Sequence, residues 1–196
     1  MNRDLVLNFM KKNNGQITRT DAEKIEVDPR NLIYMEQNGE IEKVERGVYV
    51  KKDVLEDEIF NMQYRFKKGV YFKDTSLYLH NMTDRTPFSY QMNFPAGYNS
   101  PGLKEFDISV YRQKMELYEV GIEEVFSPGG HIVKTYNEER TLCDILRKKD
   151  MSDIEIIKKA FSIYAKKKNK NYKKLGEYTS LFKIDPLVLN FMDLIL

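Results

Sequence analysis

Apolar and polar residues alternate with helical spacing in three short segments at the start of the chain. The first, residues 2–12, has apolar residues on one face and ends before an Asn-Gly pair, which tolerates a left-handed backbone. The second begins near Thr18 or Thr20, whose hydroxyl can cap a helix. The third, residues 29–37, starts with a proline after Asp28, a pair typical of helix starts. The pattern therefore predicts three helices.

The residues that follow have the two-residue alternation of a β-hairpin. Residues 41–44 and 48–50 are the predicted strands, and Gly47 lies in the turn between them. Three helices followed by a hairpin is the plan of a winged helix-turn-helix. We therefore predict that residues 1–53 are a winged helix-turn-helix domain that binds DNA. The alternative is a small three-helix module that binds protein.

The remainder of the chain, residues 54–196, mixes both periodicities. Apolar spacing predicts helices at residues 55–64, 75–81, 138–148, 153–167, 171–182 and 186–195. Alternation predicts strands at residues 88–94, 106–112, 122–126 and 131–136. The expected fold is α+β: an N-terminal winged helix-turn-helix followed by a mixed C-terminal domain with an antiparallel sheet and a helical tail.

Composition narrows the possible functions. Cys143 is the only cysteine, so neither an internal disulfide nor a cysteine-based zinc site is possible, and the two histidines lie far apart in sequence. No metal or cofactor is expected. The usual phosphate-binding, metalloprotease and serine-hydrolase motifs are missing, so an enzyme is not expected either. No apolar run is long enough for a bilayer and no signal core opens the chain, which favours a cytoplasmic protein.

Charge is distributed unevenly along the chain, although its net value is only +2. Residues 1–52 hold ten Lys or Arg against nine Asp or Glu. Residues 147–174 hold eleven Lys or Arg against three Asp or Glu. A DNA-binding protein gains much of its affinity by neutralising phosphates. The near-neutral N-terminal segment is therefore a difficulty for the DNA-binding interpretation, and the basic tail offers a second surface.

The third helix supplies the residues best suited to read bases. Its outward positions are predicted to be Arg30, Asn31, Tyr34 and Gln37. Arginine can pair with guanine, and asparagine or glutamine with adenine, because each presents two groups in a matching fork. The alternative is an ordinary solvated face, which we favour for Gln37 near the helix end. For Arg30 and Asn31 we favour base contact.

Other cations and polar groups could contact the DNA backbone. Arg19 and Thr20 begin the second helix, whose first amides suit a phosphate. Lys43 and Arg46 lie in the hairpin, with Arg46 at its tip. Arg46 could equally pair with Glu45 or with Glu42. In the tail, DNA-contacting lysines are proposed, against the alternative of a solvated face, at Lys148, Lys149, Lys166, Lys167 and Lys168.

Several segments of the chain form a recognisable set of motifs. In the N-terminal part these are GQIT at residues 15–18, the Asp-Ala pair at 21–22, NGEIEKV at 38–44 and RGVYV at 46–50. These motifs resemble those of AbiEi-type antitoxins. Further segments similar to the family are SLYLHNMTD at residues 76–84, GIEEV at 121–125 and YNEERTLCDILR at 136–147. Together they extend over nearly the whole chain.

This resemblance implies an antitoxin of a type IV toxin–antitoxin system, active in abortive infection as a defence against phage. Such a protein represses its own promoter by binding inverted repeats through the winged helix. The C-terminal domain, residues 54–196, would counter a nucleotidyltransferase-like toxin without forming a stable complex with it. Two alternatives stay open: an enzyme that a winged helix targets to nucleic acid, and a protein–protein adaptor.

Overall fold

The computed structural model describes residues 2–99, 102–103, 105–147, 151–184, 186 and 188. The chain forms two compact units. The first unit consists of Met1–Lys67 and Phe126–Val133, and the second of Lys68–Val125 and Lys134–Leu196. The first unit therefore extends past residue 53, where the sequence predicted a boundary, and includes the turn between the last two strands of the chain.

The first unit contains four helices and three strands among its described residues. They are α1 (Arg3–Lys12), β1 (Gln16–Thr18), α2 (Arg19–Lys24), α3 (Arg30–Gln37), β2 (Ile41–Glu45), β3 (Val48–Lys51) and α4 (Glu58–Arg65). The three predicted helices and the hairpin are all present. The strand β1 was not predicted, because its three residues are all buried and show no alternation.

The small sheet of the first unit has the order β1-β3-β2, with both pairings antiparallel. A register shift between Lys43 and Glu45 bulges β2 near its end, and Glu45 then pairs with Val48. The turn consists of Arg46 and Gly47, and Gly47 has φ +81°, a conformation that favours glycine. The hairpin is therefore short and tightly closed.

The core of the first unit is built from the apolar faces of its helices and sheet. Val6 and Met10 of α1, Leu32 and Met35 of α3, and Tyr49 of β3 pack in one buried cluster. The start of α2 is closed by a capping box: Thr18 Oγ1 accepts from the Asp21 amide while the Asp21 carboxylate accepts from the Thr18 amide. This packing fixes which face of α3 remains outside.

The second unit combines a sheet with a helical tail. Its elements are β4 (Val70–Tyr71), α5 (Lys73–Leu79), β5 (Tyr90–Pro95), β6 (Ile108–Gln113), α6 (Met115–Tyr118), β7 (Ile122–Phe126), β8 (Ile132–Tyr136), α7 (Glu138–Ile145), α8 (Ile154–Lys166) and α9 (Tyr172–Phe182). Leu77, Leu142, Phe161 and Leu175 join α5, α7, α8 and α9 in one core. The last predicted helix, residues 186–195, lies almost entirely outside the described residues.

The larger sheet has the order β6-β5-β4-β8-β7. The sequence predicted an antiparallel sheet here, and the pairing of β4 with β5 is antiparallel. The pairings of β4 with β8 and of β5 with β6 are parallel. The connection from β5 to β6 spans residues 96–107, which is long enough to return the chain to the same end of the sheet. The two-residue strand β4 was too short to predict. In the described part of the chain, no helix has the length and hydropathy needed to cross a membrane.

Candidate nucleic-acid interface

The helix α3 presents a continuous exposed face. Leu32 and Met35 are buried, which turns Arg30, Tyr34 and Gln37 outward. Ile33 completes this face, and the exposed fractions of Tyr34 and Ile33 are 52% and 46%. The sequence correctly placed Arg30, Tyr34 and Gln37 outside but missed Ile33. The face combines groups that donate and accept hydrogen bonds with apolar surface.

Arg30 is held in place by Asp28. Its Nε and Nη2 donate to Asp28 Oδ2 at 2.9 and 2.5 Å, and its amide donates to Asp28 Oδ1 at 2.9 Å. These hydrogen bonds lower the pKa of Asp28 to about 2. Both side chains are exposed, with relative areas of 87% for Arg30 and 44% for Asp28. Such a pair is weak and exchangeable in water, so a competing anion or a base could replace the carboxylate.

Asn31 differs from the expectation. It lies half-buried, and its side-chain amide donates to the Asp28 carbonyl at 3.0 Å. The side-chain amide therefore forms a hydrogen bond with the backbone at the start of α3 and does not point away from the helix. This is the local hydrogen bonding that asparagine favours at helix starts. In this rotamer Asn31 does not contribute to the outer face of α3.

The start of α2 also differs from the expectation that its amides are free for a phosphate. The Arg19 amide donates to the Gly47 carbonyl at 2.9 Å. The Asp21 amide is taken by Thr18, and the Asp21 carboxylate adds negative charge there. Thr20 Oγ1 lies 3.2 Å from the Tyr64 hydroxyl. The side chain of Arg19 is exposed, so its guanidinium remains available for a phosphate contact.

The hairpin tip lies beside Arg19. A Cβ built on Gly47 would approach Arg19 Cδ to 3.2 Å, so the turn and this side chain are in close proximity. Arg46, the other turn residue, is exposed. The carboxylate of Glu45 accepts from Arg65 Nη1 and from the Arg46 amide, both at 2.5 Å. Glu45 is thus engaged by Arg65 and by the backbone, and the side chain of Arg46 is exposed in the turn whose Gly47 lies close to Arg19.

Lys43 is exposed on β2. The candidate lysines of the tail differ from one another in exposure. Lys166 and Lys168 are exposed at the end of α8. Lys167 is half-buried, and its ammonium donates to Glu138 Oε1 at 2.5 Å and to the His80 carbonyl at 3.2 Å. Lys167 therefore has a structural role within the second unit. Two further candidates, Lys148 and Lys149, lie outside the described residues.

A buried polar cluster in the first unit was not predicted. Asp57 Oδ2 accepts from the Ser127 hydroxyl and lies 2.8 Å from His131 Nδ1. Burial raises the pKa of Asp57, but the hydrogen bonds from His131, Ser127 and the Phe60 amide outweigh it, and the net shift is downward. Gly129 lies so close to Asp57 that a Cβ there would collide with the carboxylate. No sequence signal joins residues 70 positions apart, although the Gly-Gly pair after Pro128 marks the turn.

Comparison with known proteins identifies one family. Residues 4–50 match the family described as "Transcriptional regulator, AbiEi antitoxin". No curated protein matches the chain. The match extends from α1 into β3 and so contains α3 and the hairpin tip. The predicted resemblance to AbiEi antitoxins is therefore confirmed over residues 4–50.

Proposed function

We propose that residues 1–53 form a winged helix-turn-helix that binds double-stranded DNA. The observation that carries the proposal is the exposed face of α3, which lies within the segment matched to a family of transcriptional regulators. The order of elements, with a helix after α2 and a hairpin after α3, supports the same proposal. The turn of the hairpin serves as the wing.

In this proposal α3 enters the major groove. Arg30 has the geometry for base edges. Gln37, for which the sequence favoured a solvated face, is included as a second base reader because it is exposed on the same face of α3. Tyr34 is suited to a sugar or phosphate. Arg46 in the hairpin turn and Arg19, which lies close to Gly47 of that turn, contact phosphates beside the groove. Arg30 must leave Asp28 to reach a base. The near-neutral charge of residues 1–52 predicts a shallow dependence of affinity on salt, because few phosphates are neutralised.

We further propose that the DNA is the chain's own promoter. Inverted repeats match a two-fold arrangement of two copies, each reading one half-site. Repression by this route keeps the operon silent while the antitoxin is abundant. Residues 54–196 then act against a nucleotidyltransferase-like toxin without a stable complex, in the cytoplasm. Lys43 and the exposed tail lysines, Lys166 and Lys168, are additional candidates for phosphate contacts.

Promoter binding tests the first part directly. Fluorescence anisotropy should show that the full chain binds a duplex from its own upstream region more tightly than a shuffled duplex of the same composition. Replacing Gln37 by alanine should weaken the specific duplex more than the shuffled one. Arg46→Ala should weaken both alike and reduce the salt slope by about 1. Lys12→Ala, which removes one charge from α1, is the matched control. Equal binding of both duplexes would overturn the proposal.

To test whether DNA binding and the action against the toxin reside in different parts of the chain, a variant that keeps the fold is needed. Truncation is unsuitable because Asp57, which lies within the first unit, accepts from Ser127 and His131 in the distant segment of that unit. A full-length variant with Tyr34, Gln37 and Arg46 replaced by alanine changes only exposed side chains. It should lose promoter repression and retain rescue of growth when the toxin is expressed. Loss of both, in a variant with unchanged thermal unfolding, would refute the separation.

A further inference from the structure

A cavity of about 560 Å³ lies in the second unit along the edge strand β6. Its size falls within the range of small-molecule binding sites. It is lined by Phe72, Lys73, Ser109, Tyr111, Arg112 and Arg147 among others. The lining residues that the structure describes include three cations and no Asp or Glu. The described lining of the cavity is therefore cationic, and the proposed DNA-binding function does not use it.

The three cations come from three different elements. Lys73 is the first residue of α5, Arg112 lies on β6, and Arg147 follows the end of α7. All three side chains line the same cavity, and cationic groups from separate elements can contact one anion together. Local sequence could not place them together, because they are joined only by the fold. Their convergence is the main observation behind the inference.

Lys73 is fixed inside the cavity wall. It is 3% exposed, and its ammonium lies 4.9 Å from the centre of the Tyr111 ring and 5.8 Å from that of Phe72. Its φ is +47°, which is unusual for a residue with a side chain. Backbone conformations of this kind persist only where the surroundings impose them, and they are frequent at binding sites. A buried ammonium suits a small anion, which it can reach inside the wall.

The two arginines are placed to complete the site. Arg112 Nε donates to the Tyr98 carbonyl at 3.2 Å, which orients an otherwise exposed guanidinium. Arg147 Nη1 lies 3.4 Å from Asp144 Oδ1. The other oxygen of Asp144 accepts from Arg140 at 2.6 Å, so one carboxylate is shared between two guanidiniums. Arg147 is therefore only partly neutralised by Asp144.

We propose that this cavity binds a phosphorylated small molecule, with Lys73, Arg112 and Arg147 as its phosphate ligands. Arginine forks match the oxygens of a phosphate, and hydrogen bonds between charged groups are the strongest in proteins. The Ser109 hydroxyl adds a neutral donor. A duplex backbone is a poor occupant, because its phosphates cannot reach a lysine that is almost completely buried. Such a ligand would give the second unit a site independent of the DNA-binding surface.

Calorimetric titration of the full chain tests the proposal, with sodium phosphate, sodium pyrophosphate and ATP as probes at constant ionic strength. At least one probe should bind saturably with one site per chain. Arg112→Gln and Arg147→Gln should each weaken that binding about tenfold or more, since each removes a charged hydrogen bond. Lys173→Gln removes an exposed charge elsewhere in the second unit and should have no effect. Lys73→Met should abolish binding if the variant folds, and the two arginine variants carry the test if it does not.

Three results would overturn the proposal. The first is the absence of saturable binding of every probe to the wild-type chain. The second is equal affinity in the wild type and both arginine variants. The third is displacement of the probe by a short duplex at stoichiometric concentration, because the cations would then serve DNA. Arg30→Ala in the first unit should leave probe binding unchanged, so failure of this site and failure of DNA binding can be distinguished.

Discussion

Each unit contains an arginine paired with an aspartate, and the two pairs lie in opposite surroundings. In the first unit, Arg30 and Asp28 are both exposed at the start of α3. In the second unit, Arg140 and Asp144 of α7 have no exposed side-chain surface at all, with Nε to Oδ2 at 2.6 Å. The chemistry of the pairs is the same, so the difference shows how burial determines what an ion pair can do.

The buried pair is part of a closed network. The Arg140 guanidinium also donates to the carbonyls of Leu117 and Val120 at 2.8 and 3.0 Å, and to Gln113 Oε1 at 2.7 Å. Its carbon lies 4.4 Å from the centre of the Tyr136 ring and 4.1 Å from that of Phe182. With no exposed surface and these partners, Arg140 cannot exchange with a ligand. The segment at residues 136–147 therefore contributes to the fold at this position.

Removing Arg140 should have the largest effect on stability. Arg140→Met leaves the buried Asp144 with only its longer contact to Arg147 and takes one donor from each of three further acceptors. Breaking a buried pair costs about 3–5 kcal/mol. Urea unfolding followed by circular dichroism should show this loss. Arg147→Met, which affects the half-exposed neighbour of Asp144, is the control and should cost much less.

The double variant Arg140→Met with Asp144→Leu sharpens the contrast between the two pairs. Replacing both charges with apolar groups removes the buried carboxylate that has lost its closer partner, so part of the lost free energy of unfolding should return. If the single Arg140 variant were as stable as the wild type, burial would not explain the difference between the pairs.

Replacing Asp57 tests whether the loss in free energy of unfolding depends on burial or on the unit to which a residue belongs. It belongs to the first unit, like Arg30, but it is buried, like Arg140. Asp57→Ala leaves Ser127 and His131 without their acceptor and should reduce the free energy of unfolding by about 1–3 kcal/mol. Asp53→Ala, which removes an exposed acidic side chain nearby in the sequence, is the matched control. A negligible loss for Asp57 would contradict the role assigned to burial.

The same carboxylate predicts a dependence of stability on pH. The pKa of Asp57 is lowered in the folded state. Its ionised form therefore stabilises the fold above the ordinary carboxyl pKa of about 4, and this contribution is lost as the pH falls through the lowered value. Thermal unfolding across this acidic range should fall less steeply for Asp57→Asn than for the wild type. Identical slopes would show that other groups cause the acid sensitivity.

For Arg30 we expect the reverse of Arg140: little effect on stability and a clear effect on DNA. Arg30→Ala should change the free energy of unfolding by less than about 0.5 kcal/mol, since the pair is exposed. It should weaken binding of the promoter duplex by about 1–3 kcal/mol if Arg30 reads a base. An equal loss on shuffled DNA would make Arg30 a phosphate contact instead, and a large loss of stability would erase the contrast with Arg140.

Elements with local signals could be predicted from the sequence. The apolar spacing of α1 and α3, the capping box of α2 and the glycine turn of the hairpin are all encoded within a few residues. The strands β1 and β4 were missed because two or three residues carry no periodicity and depend on distant partners. The parallel pairings of the larger sheet were missed for the same reason, since register across long connections is set by packing.

Among the site residues too, some positions follow from a local pattern and others depend on contacts that only the fold creates. The outward positions of Arg30, Tyr34 and Gln37 follow from the burial of α3 on one side. Asn31 could not be assigned, because a local hydrogen bond to Asp28 competes with the outer position. The burial of Arg140 contradicts the ordinary expectation that charged helix residues are exposed. Its partners from α6 and β6 are brought to it only by the fold.

The smallest predicted effect concerns Asp28. Asp28→Asn keeps a side-chain oxygen that can accept from the Arg30 amide, so α3 should still begin at the same place. It removes the charge that holds the Arg30 guanidinium and that repels DNA phosphates. Affinity for the promoter duplex should therefore rise about two- to fivefold at low salt, the scale of an exposed ion pair, and the gain should shrink as salt screens it. In the Arg30→Ala background the same substitution should gain less, because the guanidinium it frees is gone. Anisotropy titrations of the four variants measure this coupling, and weaker binding by Asp28→Asn would show that the exposed pair positions Arg30 for DNA.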